Sequence, residues 1–246
     1  MTAKGRGGQQ TVVAVLGALF LAVTYLGIGY ACCAGIPFVA EKVAYATVDD
    51  AGSPFDKEQL VEGALATRDY SFGSHDLGTY EDVLRSMNEQ AHTPYADAPD
   101  ILDVPVQYSV DAEQISHLDD VNAVASRLLM PVMGCAAIAA FLLFAGFRMF
   151  GARTVSRMLV AAGIGVVALL GVIGIWALVG FEGFFSAFHS VLFAEGTWTF
   201  PSDSLLITML PEPFWAGMGA VWLSTSLLVS VLSVAFGLVL RRRTCK

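Results

Sequence analysis

Four long apolar runs, separated by polar segments, dominate the pattern of side chains along the chain. None of them contains a charged residue, and they are 34, 20, 24 and 28 residues long, at positions 7–40, 128–147, 158–181 and 213–240. A helix needs roughly 20 apolar residues to cross the hydrocarbon core of a bilayer. The pattern therefore predicts an all-α membrane protein with four transmembrane helices.

The polar segments complete a predicted division of the chain into consecutive parts. A mainly helical cap lies between the first and second spans, and an interfacial helix with an aromatic loop lies between the third and fourth. The predicted boundaries are 1–10 for the N-terminus, 11–33 for span 1, 34–127 for the cap, 128–147 for span 2, 148–157 for a short loop, 158–180 for span 3, 181–213 for the interfacial helix and loop, 214–240 for span 4 and 241–246 for the C-terminal tail.

The charged residues predict which side of the membrane each polar part faces. Nine of the 14 Lys and Arg residues lie in the two termini and the short loop, whereas all 22 Asp and Glu residues lie in the other two polar parts. Basic residues are enriched on the cytoplasmic side of membrane proteins. Both termini are therefore predicted to be cytoplasmic, with the cap extracytoplasmic. An outer surface this acidic argues against nucleic acid as a partner.

Short sequence signals predict helices inside the cap. Ser53 and Asp56 mark the start of a helix that is predicted to run to about Arg68, with Ser53 as its N-cap. Asp111 is the predicted N-cap of a later helix, and Gln114 is placed to reach back to the backbone of Asp111. This later helix is predicted to continue into span 2.

Three chemically capable side chains share one stripe of this later helix. His117, Asp120 and Arg127 are spaced i, i+3 and i+10, which places an imidazole, a carboxylate and a guanidinium on the same face. A solvated helix end with incidental charges would show the same pattern. The stripe alone therefore does not identify a site.

The predicted interfacial helix after span 3 carries a second histidine. Its apolar stripe is typical of a helix that lies in the outer headgroup layer. His189 lies on the opposite, polar face, where an ordinary solvated side chain would also be found. The stripe consists of Phe181, Phe184, Phe185, Phe188, Val191 and Leu192, and the aromatic belt continues with Trp198, Phe200, Phe214 and Trp215.

The two histidines are predicted to lie at the same end of a helical hairpin. Spans 2 and 3 are joined by only ten residues, which makes them antiparallel neighbours with adjacent outer ends. His117 lies eleven residues before Leu128, and His189 lies ten residues after Val179. A straight helix would raise His117 about 16 Å above Leu128, so contact requires a bend or an earlier start of the span.

Two neutral imidazoles at a lipid–water boundary suit the acid–base chemistry of acyl transfer near neutral pH. In this hypothesis Asp120 orients one ring, and Arg127 or the backbone amides near Gly196 stabilise an oxyanion. The sequence contains no G-x-S-x-G, H-E-x-x-H, P-loop or dinucleotide-binding motif, which argues against soluble hydrolases, zinc proteases and nucleotide-dependent enzymes. His117, His189 and Asp120 have no spacing diagnostic of a metal site. Neither a metal nor a cofactor is predicted.

Two sequence elements around these histidines resemble one family of bacterial integral membrane proteins. Residues 115–121, I-S-H-L-D-D-V, are similar to the family's H-[ML]-x-D-V element. The second element is F-H-S-V-L-F at residues 188–193, followed by Trp198, Asp203, Leu205, Leu206, Leu210, Pro211, Phe214 and Trp215, and it is similar to the family's F-H-x-x-[LF]-F, W, D-x-L-[IL], L-P, F-[FW] pattern. The family was long catalogued as a domain of unknown function, and some members are lipoprotein intramolecular transacylases (Lit).

The resemblance implies a reaction, a location and a set of site residues. Lit enzymes move the sn-2 acyl chain of a diacylglyceryl-modified cysteine to the α-amine of the same cysteine, which gives a lyso-form lipoprotein. By resemblance His117 and His189 are the central pair, one as the base for the amine and the other orienting or stabilising the reacting carbonyl. The implied partners are a membrane-anchored lipoprotein or lipopeptide and membrane lipids, without nucleotide, in the bacterial cell membrane. The implied substrate-lining and lipid-lining residues are Phe188, Trp198, Asp203, Phe214 and Trp215.

A function of another class stays open at this point. A non-catalytic integral membrane protein would use the acidic outer cap, whose polar part from Glu41 to Arg127 has 87 residues, to bind a partner or sense the envelope. Substitution of His117 or His189 would matter greatly for an enzyme and little for such a scaffold. A transporter is disfavoured because the spans carry no acid, base or histidine for ion coupling.

Overall fold

The computed structural model describes residues 3–243, and its architecture confirms the predicted all-α membrane fold. The chain is 80% helical, and residues 3–243 contain no strand. The predicted basic ends are described only in part, since the side chains of Lys4 and Arg6 and the whole of Lys246 lie outside the described residues. The helices are α1 Ala3–Gly35, α2 Pro37–Thr47, α3 Lys57–Phe72, α4 Leu77–Gln90, α5 Ala112–Phe150, α6 Ala152–Val179, α7 Phe181–Leu192, α8 Leu205–Met209 and α9 Glu212–Arg243, with a 3-10 turn at Ile101–Asp103.

Four of these helices are long and apolar enough to cross a membrane. They are α1 over Gly7–Gly35, α5, α6 and α9, with 29, 39, 28 and 32 residues. α5 rises about 58 Å over its length, nearly twice the roughly 30 Å thickness of a hydrocarbon core. Its charge-free run at 128–147 is sufficient to cross. α5 is therefore longer than a membrane crossing requires, and the boundary at residue 128 stays a prediction.

A single residue connects α5 to α6. α5 ends at Phe150 and α6 begins at Ala152, and Gly151 between them has a φ of 80°. Glycine adopts this left-handed conformation without the steric penalty that a Cβ would bring. The sequence predicted a ten-residue loop at 148–157, but most of that segment is helical. Its arginines are good helix formers, and Gly151 alone makes the turn.

The membrane helices form one compact unit in which backbones approach closely. A Cβ on Gly163 of α6 would lie 2.6 Å from the carbonyl oxygen of Ser230 on α9, and a Cβ on Gly29 of α1 would lie 2.8 Å from the carbonyl oxygen of Trp222. Small residues permit such contacts between membrane helices, where lipid supplies little hydrophobic driving force for association. The unit consists of the described residues up to 32, 128–179 and 221–243.

A second compact unit contains the predicted site, and it comprises residues 33–127 and 180–220. Its buried core receives Ile115 and Leu118 from the first turns of α5. Because these two side chains are buried, His117 is held at a fixed rotation about the axis of α5. The largest fully buried side chains of this core include Phe55, Leu60, Tyr80, Leu84, Met87, Ile101, Leu205 and Met209.

Capping boxes fix where two helices of the second unit begin. The Asp111 carboxylate accepts from the backbone N–H of Gln114 at 2.8 Å, and the Gln114 side chain accepts from the N–H of Asp111 at 3.1 Å. This confirms the predicted start of α5. For α3 the N-cap is Asp56, which bonds reciprocally with Gln59 at 2.9 Å in both directions. The prediction that Ser53 caps this helix was wrong, because the glutamine that completes the box lies three residues after Asp56.

The close approach at Gly163 yields a stability prediction. Gly163→Ala should lower the thermal unfolding temperature of the detergent-solubilised protein, because the new methyl group meets the backbone of α9 and forces the helices apart. Overpacking of this kind costs about 1–3 kcal/mol. Gly165→Ala is the matched control, since nothing lies within 4 Å of a Cβ there and the added helix propensity should preserve or raise stability. Equal unfolding temperatures for the two variants would contradict this packing.

Candidate active site

The structure places the two predicted histidines side by side in the second unit. His117 lies in the second turn of α5 and His189 in the third turn of α7, and both side chains are buried. Their ring centroids are 6.2 Å apart, with 32° between the ring planes. α5 is one unbroken helix, and α7 is a separate helix that begins after Gly180. These two imidazoles are called the histidine pair below.

Aromatic rings enclose the histidine pair. Phe193 contacts both imidazoles, with centroids 4.9 Å from His117 and 5.6 Å from His189. Because these rings take the place of water around the imidazoles, polar interactions there are stronger than in solution. The other rings of this aromatic enclosure are Phe185, at 3.9 Å from His189, Trp198, at 5.0 Å from His189, and Phe200, at 5.6 Å from His117.

One hydrogen bond fixes the tautomer of His189. Its Nδ1 lies 2.9 Å from the backbone carbonyl oxygen of Phe185, one turn earlier in α7. A carbonyl only accepts, so Nδ1 carries the proton, and the neutral ring keeps its lone pair on Nε2. Burial lowers the pKa of His189 below its ordinary value, and the bond to Phe185 opposes this in part. His189 is therefore a neutral base near pH 7, with Nε2 directed away from the α7 backbone.

His117 is also neutral, but its ring is held differently. Burial and, to a smaller extent, repulsion from a charged His189 lower the pKa of His117 to about 4, although the Asp120 carboxylate opposes this shift. Its Nδ1 is buried and bonds to no described residue. An unpaired buried polar atom costs roughly 1–3 kcal/mol, which a bound polar group would offset. In the histidine pair, Nδ1 of His189 is thus fixed by a hydrogen bond, whereas Nδ1 of His117 bonds to no described residue.

The charged residues of the predicted stripe do not meet at the histidine pair. Asp120 is exposed and acts on His117 electrostatically, without a hydrogen bond to it. Arg127 is exposed and lies about 15 Å further along α5, because each helical residue adds 1.5 Å. Gly196 is exposed in the turn after α7, with a φ of 84°. The geometry gives no support for an oxyanion contact from Arg127.

The predicted lining residues divide into those at the histidine pair and those elsewhere. Trp198 packs on His189, whereas Phe188 meets only its ring edge at 5.6 Å and is 52% exposed. Trp215 reaches Phe185, at 6.3 Å, without contacting a histidine. The remaining two residues have other surroundings. Phe214 is buried in the core of the second unit. Asp203 accepts a hydrogen bond from Gln107 at 2.9 Å and lines a separate cleft of 550 Å³.

Sequence reasoning missed most of the aromatic enclosure. Phe185 was assigned to the apolar face of α7, yet it lies four residues before His189 and therefore one turn below it. That spacing was a usable signal. Phe193 belongs to the F-H-S-V-L-F element and Phe200 to the aromatic belt, but neither pattern predicted contact with the imidazoles, which depends on the irregular turn that follows α7.

A second polar cluster, formed by Tyr70, His75 and Asp119, lies on the side of α5 opposite His117. The Tyr70 hydroxyl donates to Asp119 at 2.6 Å, and this contact, after burial, raises the pKa of Tyr70. His75 stacks on Tyr70 at 4.5 Å and lies 3.6 Å from the Asp119 carboxylate. His75 has a φ of 54°, which is unusual for a residue with a Cβ. The cluster ties the end of α3 to α5, two residues from His117.

No group of three or more His, Cys, Asp or Glu side chains in residues 3–243 is arranged to hold a metal ion. Acid–base chemistry by the histidine pair is what the described side chains support. The fold and this pair define the chain as a four-span integral membrane protein with a buried two-imidazole site.

Comparison with known proteins gives the family. Residues 75–215, more than half of the chain and including both histidines, match the family described as lipoprotein intramolecular transacylase Lit. The chain therefore belongs to the Lit family. No curated protein matches the sequence.

The fold is also that of solved structures. The membrane integral lipoprotein intramolecular transacylase Lit from Bacillus cereus aligns over 97% of this chain and 98% of its own, with 15% identity and a TM-score of 0.64. A variant of it with one histidine replaced by arginine aligns over 99% and 97%, with 16% identity and a TM-score of 0.64. The variant with alanine there covers 99% of both chains, with 15% identity and a TM-score of 0.67.

The tautomer and pKa of His189 can be measured directly. In protein labelled with 15N-histidine, the His189 signals should show a protonated Nδ1 and an unprotonated Nε2, whereas free imidazole side chains favour the opposite tautomer. Because its pKa is lowered, the ring should be mostly neutral at pH 6.5 and gain its charge only at lower pH. Signals are assigned by their loss in His189→Gln. A ring that is largely charged at pH 6.5 would contradict this account.

Proposed function

We propose that this chain is a lipoprotein intramolecular transacylase of the bacterial cell membrane. It moves the sn-2 acyl chain of a diacylglyceryl-cysteine lipoprotein to the N-terminal amine of the same cysteine and leaves a lyso-form lipoprotein. The observation that carries the proposal is the histidine pair, two buried neutral imidazoles 6.2 Å apart inside the aromatic enclosure. Membership of the Lit family supports the same reaction class.

His189 is the general base in this proposal, because its Nδ1 is committed to Phe185 and its Nε2 is a free acceptor. The amine nitrogen attacks the carbonyl carbon of the sn-2 ester, a C–N bond forms, and the amine proton passes to Nε2. The tetrahedral intermediate then loses the bond to the sn-2 oxygen, and the imidazolium returns the proton to that oxygen. Ester and amine become amide and alcohol, so the reaction needs no cofactor.

His117 is the positioning partner in the same proposal. A neutral imidazole offers one donor and one acceptor, and the buried Nδ1 of His117 has no bond to a described residue. In the proposal, a polar group of the substrate bonds to this nitrogen. The bond satisfies the nitrogen and holds the substrate group next to His189. Asp120 acts on the ring from the exposed side of α5.

An apolar face of α7 leads to the site from the lipid side. Phe188, Val191 and Leu192 are 52%, 83% and 38% exposed, although all three are hydrophobic. A helix with such a face lies at the membrane interface. In the proposal this face contacts outer-leaflet lipids and the acyl chains of the lipoprotein, while His189 on the same helix faces the enclosure.

The proposed membrane topology follows from the charge distribution. Both termini and the turn at Gly151 are cytoplasmic, and the second unit with all 22 acidic residues is outside. The reaction then occurs in the leaflet where the lipid-modified cysteine of a lipoprotein is anchored. The predicted segment boundaries, from 11–33 for span 1 to 214–240 for span 4, are part of this proposal.

Cysteine labelling in intact spheroplasts tests the topology. In a variant without the four native cysteines, Asp97→Cys in the second unit should react with a membrane-impermeant maleimide. Met149→Cys beside the Gly151 turn, 55% exposed, should react only after the membrane is permeabilised. The reverse pattern would place the acidic surface in the cytoplasm and contradict the proposal.

The reaction itself is tested by expression in a bacterium that lacks N-acylation of lipoproteins. Tandem mass spectrometry of the N-terminal lipopeptide of one abundant lipoprotein should show fragments with one acyl group on the cysteine amine and one on glycerol. Total mass cannot reveal this, because the transfer conserves composition. His189→Gln should reduce the lyso-form by at least about 100-fold, since glutamine can still donate to Phe185 but is not a base.

A matched histidine variant separates chemistry from folding. His92 is exposed, lies outside the site and has a φ of 52°, which asparagine tolerates. His92→Asn should therefore retain wild-type conversion. Unchanged diacylglyceryl fragments from folded, inserted wild-type protein would sink the transacylase proposal. They would favour the non-catalytic alternative, in which the acidic outer cap binds a partner or senses the envelope.

A further inference from the structure

Two unpaired polar atoms belong to residues whose rings lie near that of His189, with centroids 6.2 Å and 5.0 Å from it. Within the described part of the chain, few buried side-chain nitrogen or oxygen atoms have no hydrogen-bond partner. Two of them belong to residues at the histidine pair, namely Nδ1 of His117 and the indole Nε1 of Trp198. The others are Arg68 Nε, Ser109 Oγ, Gln114 Nε2 and Ser226 Oγ.

The indole of Trp198 differs from those of two other tryptophans. The Nε1–H of Trp215 donates to the Leu210 carbonyl at 3.1 Å, and that of Trp222 donates to the Leu26 carbonyl at 3.1 Å. Trp198 is half-buried with its Nε1 buried, and its ring packs 5.0 Å from that of His189. A buried indole N–H normally has a partner, so this one is free to donate to a bound molecule.

Resting on the proposed function, we propose that the Nε1–H of Trp198 donates a hydrogen bond to the oxygen of the reacting sn-2 carbonyl. When the amine attacks, the carbonyl π electrons move onto this oxygen and make it an anion. The indole N–H is a donor only and keeps its proton at all relevant pH values. It therefore stabilises the developing charge without taking part in the proton transfer that His189 performs.

Two other candidate donors, His189 and Arg127, are used or too distant, and His117 already has the role of positioning a polar group of the substrate. The Nδ1–H of His189 is bonded to Phe185, and its Nε2 receives the amine proton. Arg127 lies about 15 Å along α5 from His117. Trp198 packs directly on the base, and in this proposal one carbonyl group contacts both the indole N–H and the attacking amine.

The enclosure strengthens this single contact. Phe185, Phe193 and Phe200 occupy the surroundings of the histidine pair, so an oxyanion there is screened from water. In a low-dielectric site a preorganised donor stabilises charge more than it would in solution. Loss of one such donor typically lowers kcat about 100-fold to 1000-fold.

The test removes the N–H and keeps the ring. Conversion of a synthetic diacylglyceryl lipopeptide in mixed micelles is followed for wild type, Trp198→Phe and a variant carrying benzothienylalanine at position 198. Benzothienylalanine has the shape of tryptophan with sulfur in place of N–H, so packing on His189 is retained. Both variants should lose about 100-fold in kcat with KM changed by less than about threefold, because the bond strengthens only in the transition state.

Trp222→Phe is the matched control, since it removes an indole N–H whose partner is the Leu26 carbonyl in the membrane helices. It should keep wild-type kcat while its unfolding temperature falls. Full activity of the benzothienylalanine protein would overturn the role of Trp198 and leave the transacylase function intact. An inactive, folded wild-type protein would overturn both proposals. A rise in KM at unchanged kcat would show that the indole binds substrate only, which also overturns the proposal.

Discussion

Backbone amides inside a bilayer find no water, so each must bond within its own helix. This constraint produces the four long helices, and it also sets where the chain can depart from helical structure. α5 and α6 are joined by one glycine, and helix boundaries with irregular turns are concentrated in the second unit. There, capping boxes at Asp56 and Asp111 replace the missing backbone bonds. Of the two helices that carry the histidine pair, α5 has its start fixed by the cap at Asp111 and its rotation fixed by the buried Ile115 and Leu118.

Most of the fold could be predicted because a spanning helix requires a long charge-free run, which is visible in the sequence. A charge-free run of sufficient length has few alternatives to a spanning helix. The helix caps could be predicted in part. Asp111 and Gln114 have the spacing of a capping box and were identified as one. For α3, however, Ser53 was wrongly predicted as the N-cap in place of Asp56. The segment 148–157 differs from its predicted loop for a physical reason. Charge marks where an apolar run ends, but a helix continues through arginines until a residue such as Gly151 interrupts it.

The site could be predicted only as far as helical geometry extends. His117 and His189 were placed at one end of a hairpin from the length of its connection, and their rings are 6.2 Å apart. Arg127 lies on the same stripe of α5 as His117. Periodicity predicts the face of a helix on which a side chain lies, but a shared face does not make two side chains close along the helix axis. The turn after α7 decides which rings surround the imidazoles, and no periodic pattern describes it. Asp203 and Phe214 were assigned to the site from the family resemblance, which gives no distances between side chains, so their role there stays a prediction.

Phe193 shows a consequence of enclosing two bases in one small space. Its ring touches both imidazoles, so a change in its size or tilt moves the surroundings of His117 and His189 together. Groups that share a partner respond non-additively to substitution. A substitution at Phe193 therefore changes the surroundings of both bases, whereas Asp120 acts on His117 and the Phe185 carbonyl bonds to His189. One mutation at Phe193 thus has two effects on the site, and its consequence for activity is their combined result.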